Sequence, residues 1–167
     1  MVESMTAAGI VIRQASSPAD MESARALFLE YAAWLEIDLC FQGFTAEVAN
    51  LPGAYAPPNG RLLLAAGPDG IIGCVALRPL PGDVTGASGE LKRLWVRPAG
   101  RGQRVGHHLS RAALGAARDI GYRHVKLDTL PQRMPAAVAL YRTLGFTECA
   151  PYYDSPISGS LYMECVL

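Results

Sequence analysis

A short segment of the chain combines two arginines and three glycines in a pattern that could bind an anion. It spans residues 99–106 and reads Ala-Gly-Arg-Gly-Gln-Arg-Val-Gly. A strand-like run precedes it, from Glu90 to Pro98, and a run with apolar residues at three- and four-residue steps follows it as far as Gly121. The free N–H groups at a helix N-terminus, the helix dipole and the guanidinium groups of Arg101 and Arg104 all favour phosphate oxygens. A glycine-rich turn that binds nothing is the alternative, which the two arginines make less attractive.

Two familiar phosphate loops do not fit this segment. No Gly-Lys-Ser/Thr follows, which excludes the nucleotide P-loop, and the spacing of Gly100, Gly102 and Gly106 misses the dinucleotide fingerprint by one residue. The segment resembles instead the pyrophosphate loop of the GNAT acyltransferases (GCN5-related N-acetyltransferases), whose pattern is Gln/Arg-x-x-Gly-x-Gly/Ala. Arg101 fits the first position, and Arg104 stands where the central glycine would be. This departure is expected to be mild if residue 104 has ordinary helical dihedral angles.

A second segment, residues 134–146, resembles another GNAT motif, Asn-x-x-Ala-x-x-Leu-Tyr-x-x-x-Gly-Phe. An apolar helix ending in Gly-Phe is ordinary packing when it stands alone, but its position after the phosphate loop, with a strand between, makes the match more specific. In the family this tyrosine lies near the CoA sulfur and can protonate the departing thiolate. The resemblance therefore implies that Tyr141 is a general acid. Met134 occupies the asparagine position, so that contact with the cofactor must be missing or replaced.

The resemblance implies a reaction in which an amine attacks the thioester of acetyl-CoA in a ternary complex, with CoA as product and no metal. In the family a bulge in the central strand exposes a backbone N–H to the acyl oxygen. The cofactor-binding residues implied here are Tyr141 together with Leu94, Trp95, Val96, Arg101, Gly102, Gln103, Arg104, Val105 and Gly106. A non-catalytic acyl-CoA-binding sensor or partner module is the alternative function. The loop serves both, whereas Tyr141 with a nearby carboxylate favours an enzyme.

The candidate base is Glu90, which begins the central strand. It resembles the position from which many family members draw a glutamate, directly or through water, and a solvated strand-end carboxylate is an equally good interpretation. One of the next two charged residues, Lys92 and Arg93, is expected to face the pocket because side chains alternate along a strand.

The acceptor-binding residues are predicted from two apolar or aromatic connections. Phe41 and Phe44 lie in an unusually apolar connection that is either a substrate wall or a packed turn, and Tyr152 and Tyr153 lie in a loop that could cover the acceptor. Asp154 could pair with a cationic amine or cap a turn. No sequence feature selects among amino acids, polyamines, aminoglycosides, peptides and protein lysines. The expected partner is a small-molecule or peptide amine.

Composition limits the other partners and the location. The chain has 167 residues, half of them apolar, and a formal net charge of zero, which favours neither nucleic acid nor an anionic membrane. No signal peptide or membrane span is apparent. The four cysteines lack metal-site spacing and are expected to be buried and reduced, as in a cytoplasmic protein. We expect a monomer or homodimer with one domain over residues 1–167, of which residues 1–8 are disordered or loosely held.

The order of elements predicts an α/β fold. Strands are expected at residues 9–14, 61–66, 71–78, 90–97, 124–130, 146–149 and 161–167, and helices at 18–37, 45–51, 105–120 and 135–144. The early strands form antiparallel hairpins, and a strand–helix–strand step implies a parallel neighbour with a right-handed crossover. The prediction is a mixed, mainly antiparallel central sheet with flanking helices, which is the GNAT fold.

Overall fold

The computed structural model describes residues 4–6 and 9–167, and of Ser4 and Met5 only the backbone. The strands are β1 Ser4–Met5, β2 Val11–Gln14, β3 Arg61–Gly67, β4 Gly70–Pro79, β5 Ser88–Val96, β6 His124–Thr129, β7 Thr147–Glu148 and β8 Leu161–Val166. The helices are α1 Pro18–Leu35, α2 Phe44–Ala49, α3 Val105–Ile120 and α4 Pro135–Thr143, with short 3-10 turns at Cys40–Gln42, Gly53–Tyr55 and Pro98–Gly100.

The strands form one eight-stranded sheet in the order β1-β2-β3-β4-β5-β6-β8-β7. β5 and β6 are parallel, joined by α3, and the other described strand pairs are antiparallel. The predicted mixed, mainly antiparallel sheet with flanking helices is confirmed. The connection from β6 through α4 to β7 does not reach a neighbouring strand, because β8 lies between β6 and β7.

The first helix begins where its sequence predicts. Ser17 is the N-cap: its hydroxyl accepts a hydrogen bond from the backbone N–H of Asp20 at 3.1 Å, and the Asp20 carboxylate accepts one from the Ser17 N–H. Pro18 occupies the first helical turn, where a missing N–H costs nothing. A capping box of this kind fixes the start of α1 on one face of the sheet.

Alternating side chains of the central strands build two hydrophobic cores, one on each face of the sheet. Toward α3 lie Leu63, Ala65, Val75, Leu77, Val125 and Leu127, packed against Leu109, Ala113 and Ala117 of the helix. Toward α1 and α2 lie Leu62, Leu64, Cys74 and Ala76, packed against Ala24, Leu27, Phe28 and Val48. The period of two along β3 and β4 therefore places helices on both faces of the sheet.

The sheet opens at its centre, between β5 and β6. Their pairing runs from Ser88 opposite His124 to Glu90 opposite Lys126 and stops there, although both strands continue. On the opposite edge of β5, Lys92 pairs with Ala76 and Trp95 with Cys74, so β5 carries one extra residue between them. This is a β-bulge, and it bends the strand away from a regular ladder.

The bulge lies slightly earlier than the family resemblance implies. Arg93, within the bulge, has a positive φ of 59°, and its guanidinium donates two hydrogen bonds, at 2.9 and 3.0 Å, to the carboxylate of Glu47 in α2. A positive φ is unfavourable for a non-glycine residue and persists only where the surroundings fix it. Trp95 and Val96, which were expected within the bulge region, pair regularly with β4, so of the three expected residues only Leu94 belongs to the bulge.

The N-terminal segment and the cysteines differ from expectation in part. Ser4–Met5 pair with β2 instead of being disordered, whereas residues 1–3 and 7–8 of the predicted loose segment lie outside the described residues. All four cysteines are free thiols. Cys74 and Cys165 are buried as predicted, but Cys149 is half-buried and Cys40 is exposed because it lies in a surface 3-10 turn.

Candidate active site

The loop of residues 101–106, called here the phosphate loop, borders an open basin at the start of α3. The basin is lined by Val96, Gly100, Arg101, Gly102, Arg104, Val105, Gly106, His107, Leu140 and Thr143. Arg101 also packs its guanidinium over the Trp95 ring, 5.4 Å from the ring centroid. Burial, followed by the positive charge of Arg104, lowers the pKa of His107. The basin therefore offers free helix N–H groups beside two permanent cations, an arrangement that suits a phosphate.

The backbone of Arg104 corrects one expectation. Residue 104 is the N-cap of α3, with φ 58° and ψ 23°, which is the left-handed and not the ordinary helical region. An L-residue pays about 1–2 kcal/mol in that region, whereas glycine does not. The departure from the family's glycine is therefore not mild: Arg104 adds a cation to the phosphate loop at a cost in backbone energy.

A groove leads from the basin along the bulged part of β5. It shares Val96, Arg101, Gly106 and Leu140 with the basin, and its other walls are Tyr31, Trp34, Leu94, Trp95, Arg133, Met134, Pro135, Ala136 and Ala137. Arg133 stacks on the Trp34 ring, 5.7 Å from the ring centroid, and donates hydrogen bonds to the carbonyls of Trp34 and Leu35 at the end of α1. Met134, at the family's asparagine position, supplies an apolar wall here.

The groove continues into a narrow cleft between β5 and β6. Leu94, Met134 and Ala137 line both, and the cleft is lined further by Gln42, Lys92, Asp128 and Tyr141. Tyr141 is 7% exposed, and its ring packs against Phe146 with a centroid separation of 5.5 Å. Burial raises the pKa of the Tyr141 hydroxyl. A phenol of this kind keeps its proton at neutral pH and can donate it inside the cleft.

A second pocket, called here the side pocket, opens on the other side of the cleft. It has a volume of about 260 Å³ and is lined by Phe41, Gln42, Arg78, Pro81, Glu90, Lys92, Tyr152, Tyr153, Asp154 and Pro156. Gln42 and Lys92 line both the cleft and the side pocket. Neighbouring spaces share wall residues, so the basin, the groove, the cleft and the side pocket adjoin one another in that order, a series called here the path.

Glu90 lies at the inner wall of the side pocket and is 2% exposed. Its carboxylate forms an ion pair with Arg78 at 2.7 Å and accepts a hydrogen bond from the Tyr152 hydroxyl at 2.8 Å. The pKa of Tyr152 is raised mainly by burial and, to a smaller extent, by the negative charge of Glu90. Glu90 is therefore a buried, held carboxylate and not the solvated strand-end group of the alternative interpretation.

Four further polar side chains, joined by three hydrogen bonds, connect the side pocket to the cleft. The Nζ of Lys92 donates to the Gln42 side-chain carbonyl at 3.1 Å, and the Gln42 amide donates to the Tyr153 hydroxyl at 3.4 Å. The Tyr153 hydroxyl in turn donates to Asp128 at 2.7 Å. Burial lowers the pKa of Lys92. The two residues that could have faced the pocket both line the cleft, but only Lys92 also borders the side pocket, and the Arg93 guanidinium is bonded to Glu47.

The remaining predicted residues are placed as follows. Trp95 borders the groove and donates from its indole nitrogen to Glu30 at 3.3 Å. Gln103 lies on the exposed part of the phosphate loop and donates to the Ala99 carbonyl, outside the basin. Phe41 borders the side pocket. Phe44 does not: it is buried in the core against α1, with Arg93 stacked on its ring, so it fits the packed-turn interpretation and not a substrate wall.

Sequence reasoning missed several residues of the path, namely Tyr31, Trp34, Arg78, Asp128 and Arg133. Gln42 was noticed only as part of an apolar connection. Lys92 could have been selected from its position two residues after Glu90 on one strand, which places the two on the same face. Asp128 and Arg78 carry no comparable local signal, because β4 and β6 read as ordinary buried strands.

Two further observations describe the chemistry at hand. Within residues 4–6 and 9–167, no three histidine, cysteine, aspartate or glutamate side chains gather closely enough to hold a metal ion. In the part of the chain that the structure describes, no helix combines the length and apolar character needed to cross a bilayer.

Comparison with known proteins agrees with this geometry. The model of the acetyltransferase (GNAT) family matches residues 22–146. An uncharacterized N-acetyltransferase of Schizosaccharomyces pombe is 37% identical over 161 residues, which cover 96% of each protein. The solved structure of an acetyltransferase of the GNAT family from Staphylococcus aureus Mu50 has a TM-score of 0.75 at 18% identity, covering 94% of this chain and 98% of that one. An acetyltransferase from Streptococcus agalactiae gives a TM-score of 0.75 at 19% identity, covering 95% and 99%.

The two structural neighbours share the fold, and the family match and the yeast relative cover most of the sequence. A phosphate loop at a helix N-terminus, a bulged central strand and a split between two parallel strands lie in one described sheet. The chain therefore belongs to the GNAT family and is an acyl-CoA-dependent N-acyltransferase.

Proposed function

We propose that this protein transfers an acetyl group from acetyl-CoA to a primary amine by direct attack in a ternary complex. The observation that carries the proposal is the path of adjoining spaces from the phosphate loop to the side pocket, with Tyr141 lining the cleft and Glu90 lining the side pocket. Two substrates can then approach from opposite ends and react inside the protein. Holding both in line supplies much of the expected acceleration.

The donor end fits acyl-CoA. The basin beside Arg101 and Arg104 suits a pyrophosphate, and at Gly106 an added Cβ would lie 3.5 Å from the Leu140 side chain, so larger side chains would enter the basin. The groove beyond it is open and has mostly apolar walls, which suits a pantetheine-like chain. The cleft, where the thioester would react, has a volume of only about 60 Å³.

Tyr141 of the cleft and Glu90 of the side pocket divide the proton transfers between them. The amine nitrogen forms a bond to the thioester carbonyl carbon, the carbon–sulfur bond breaks, and the thiolate takes the proton of the Tyr141 hydroxyl. Glu90, directly or through a water, accepts the proton that the amine loses. The backbone of the bulge at Arg93 and Leu94, which is not paired with β6, supplies the N–H donor for the carbonyl oxygen.

The acceptor enters from the side pocket. The side pocket has a volume of about 260 Å³, just below the roughly 300–1,000 Å³ of pockets that bind drug-sized ligands. This size favours a small amine or the end of a peptide. The four free thiols support a location in the cytoplasm. The zero net charge supports a small-molecule or peptide partner over nucleic acid or a membrane. We propose one domain that works as a monomer or homodimer.

Thiol release from acetyl-CoA, measured across a panel of primary amines, tests this proposal. We expect release that depends on both acetyl-CoA and one class of amine, with the N-acetylated amine identified by mass. Saturable CoA binding without turnover on any amine would contradict the proposal and indicate an acyl-CoA sensor.

A further inference from the structure

The side pocket contains a buried cation without a carboxylate partner. Lys92 is 7% exposed, and its Nζ donates to the neutral amide of Gln42 at 3.1 Å. In the described parts of the chain no carboxylate oxygen lies within 4.0 Å of this nitrogen. Buried lysines are rarely left without a charge partner, since removing an ammonium from water is costly. Lys92 thus lacks the direct ion pair that a buried ammonium usually has.

The charges of Glu90 and Asp128 act on Lys92 from a distance, but neither carboxylate forms a direct ion pair with it. Glu90 is engaged by Arg78 and by the Tyr152 hydroxyl, and Asp128 accepts the Tyr153 hydroxyl. The two arginines closest in the structure are also engaged, Arg78 with Glu90 and Arg93 with Glu47. Lys92 is therefore the one buried lysine or arginine among the described residues of the side pocket whose charge is not matched by a direct ion pair.

We propose that Lys92 binds a carboxylate of the acceptor, so that the preferred acceptor is a small amino carboxylic acid. The inference rests on the proposed function and deepens it. Lys92 borders both the side pocket and the cleft, and Glu90 lies two residues away on the same strand. The amine of one small molecule can thus lie near Glu90 while its carboxylate lies beside Lys92.

Charge and size distinguish a carboxylate from other anions. A monoanion matches a single lysine, whereas a phosphate dianion calls for more than one free cation, and Arg78 is neutralised by Glu90. The pocket volume of about 260 Å³ suits a molecule of amino acid size. A polyamine or an aminoglycoside would instead bring further positive charge against a buried ammonium.

The experiment compares matched acceptors and matched variants. Free amino acids and short ω-amino acids are each assayed beside the corresponding carboxamide, with the wild type, Lys92→Met and Lys92→Arg. A carboxamide leaves more of its amine unprotonated than the acid does, so a preference for the acid runs against simple reactivity. Lys126→Met is the control for loss of a lysine, because Lys126 is the only other lysine of the chain and lines neither the cleft nor the side pocket, although its Nζ lies 5.9 Å from the Tyr152 ring centroid.

We expect the wild type and Lys126→Met to favour the best acid over its carboxamide by about 10- to 100-fold in kcat/KM, the range for a hydrogen bond to a charged group. Lys92→Met should lose this preference through a higher KM for the acid, and Lys92→Arg should keep part of it. Equal use of acid and carboxamide by the wild type would overturn the inference while leaving the proposed function intact. An equal loss of turnover on both acceptors in Lys92→Met would overturn it too and indicate a base or a structural role.

A binding measurement separates this inference from the proposed function. If no amine is acetylated, the same amino acids are titrated calorimetrically into wild-type protein and Lys92→Met in the presence of CoA. Binding of an acid but not of its carboxamide, lost in Lys92→Met, would support the carboxylate site even though transferase activity had failed. No binding to either protein would overturn the site as well.

Discussion

The phosphate loop and the side pocket are built in different ways, although they serve the two ends of one path. The loop consists of consecutive residues whose backbone N–H groups and two exposed arginines surround an open basin. The side pocket is assembled from β4, β5, the Cys40–Gln42 turn and the loop after β7, joined by hydrogen bonds between buried side chains such as Tyr152 and Glu90. A common donor can be held by backbone geometry, whereas a particular acceptor requires particular side chains.

The largest expected effect falls on the phosphate loop. Gly106→Glu places a carboxylate in the basin, against the site proposed for the pyrophosphate, and should lower CoA affinity by more than about 100-fold, or over 2.7 kcal/mol. Calorimetric titration with CoA measures this. Gly115→Glu is the matched control, because it makes the same change on the same helix, where an added Cβ meets nothing within 4 Å.

If a folded Gly106→Glu protein binds CoA as the wild type does, the phosphate loop is not the donor site. If Gly115→Glu loses CoA affinity equally, damage to α3, and not a charge in the basin, explains the loss in both variants.

The next effect concerns the cleft between the two ends. Tyr141→Phe keeps the buried ring and its contact with Phe146 but removes the proton donor. Turnover should fall by roughly ten- to a thousand-fold with CoA affinity nearly unchanged, as loss of a general acid predicts. Steady-state kinetics and a melting curve are recorded together.

Tyr122→Phe is the control for Tyr141→Phe. Tyr122 is equally buried, at 7% exposure, and its hydroxyl donates to the Asn59 carbonyl at 2.7 Å, away from the path. Its loss should lower the melting temperature and spare turnover. The same pattern in Tyr141→Phe would mean that Tyr141 is a packing residue.

A smaller effect is expected from Arg104. Arg104→Ala removes one charge-assisted hydrogen bond to the pyrophosphate and should weaken CoA binding by about 1–3 kcal/mol. The loss should shrink as salt is raised, because the basin is open and exposed charges are screened. A CoA affinity that is unchanged at low salt would show that the Arg104 side chain does not contact the donor.

The smallest effect separates the charge of Arg104 from its backbone. Residue 104 has a φ of 58°, so Arg104→Gly should be about 1 kcal/mol more stable than Arg104→Ala. The two variants should nevertheless bind CoA equally weakly, because both lack the guanidinium. Denaturant unfolding measures the stability difference. Equal stability of the two variants would mean that the left-handed conformation carries no cost.

The position of the phosphate loop at the start of α3 was predictable from the sequence because its residues are consecutive. Three glycines, two arginines and the first turn of α3 occur together, so spacing alone indicates an anion site. Even so, spacing did not show that Arg104 adopts a left-handed conformation, since dihedral angles follow from the turn as a whole. Apart from β1, which was not predicted, the strands and helices were placed to within a few residues for the same reason, through alternating and helical apolar patterns.

The side pocket could be predicted only in part. Tyr152 meets Glu90, Tyr153 meets Asp128, and Lys92 meets Gln42 across long stretches of chain. Nothing local marks Arg78 or Asp128. Phe41 and Phe44 occur in the same apolar connection, but Phe41 borders the side pocket, whereas Phe44, at the start of α2, is buried in the core. Contacts of this kind depend on the tertiary arrangement of β4, β5, β6 and the loop after β7.

The central claim is that the acetyl group passes directly from the donor end to the acceptor end of the path. Initial-rate kinetics with both substrates varied, combined with rapid mixing of enzyme and acetyl-CoA alone, tests it most directly. We predict intersecting double-reciprocal lines, no burst of thiol without an amine, and an enzyme of unchanged mass. Parallel lines, with a stoichiometric thiol burst and an acetylated enzyme, would contradict direct transfer and indicate a covalent intermediate.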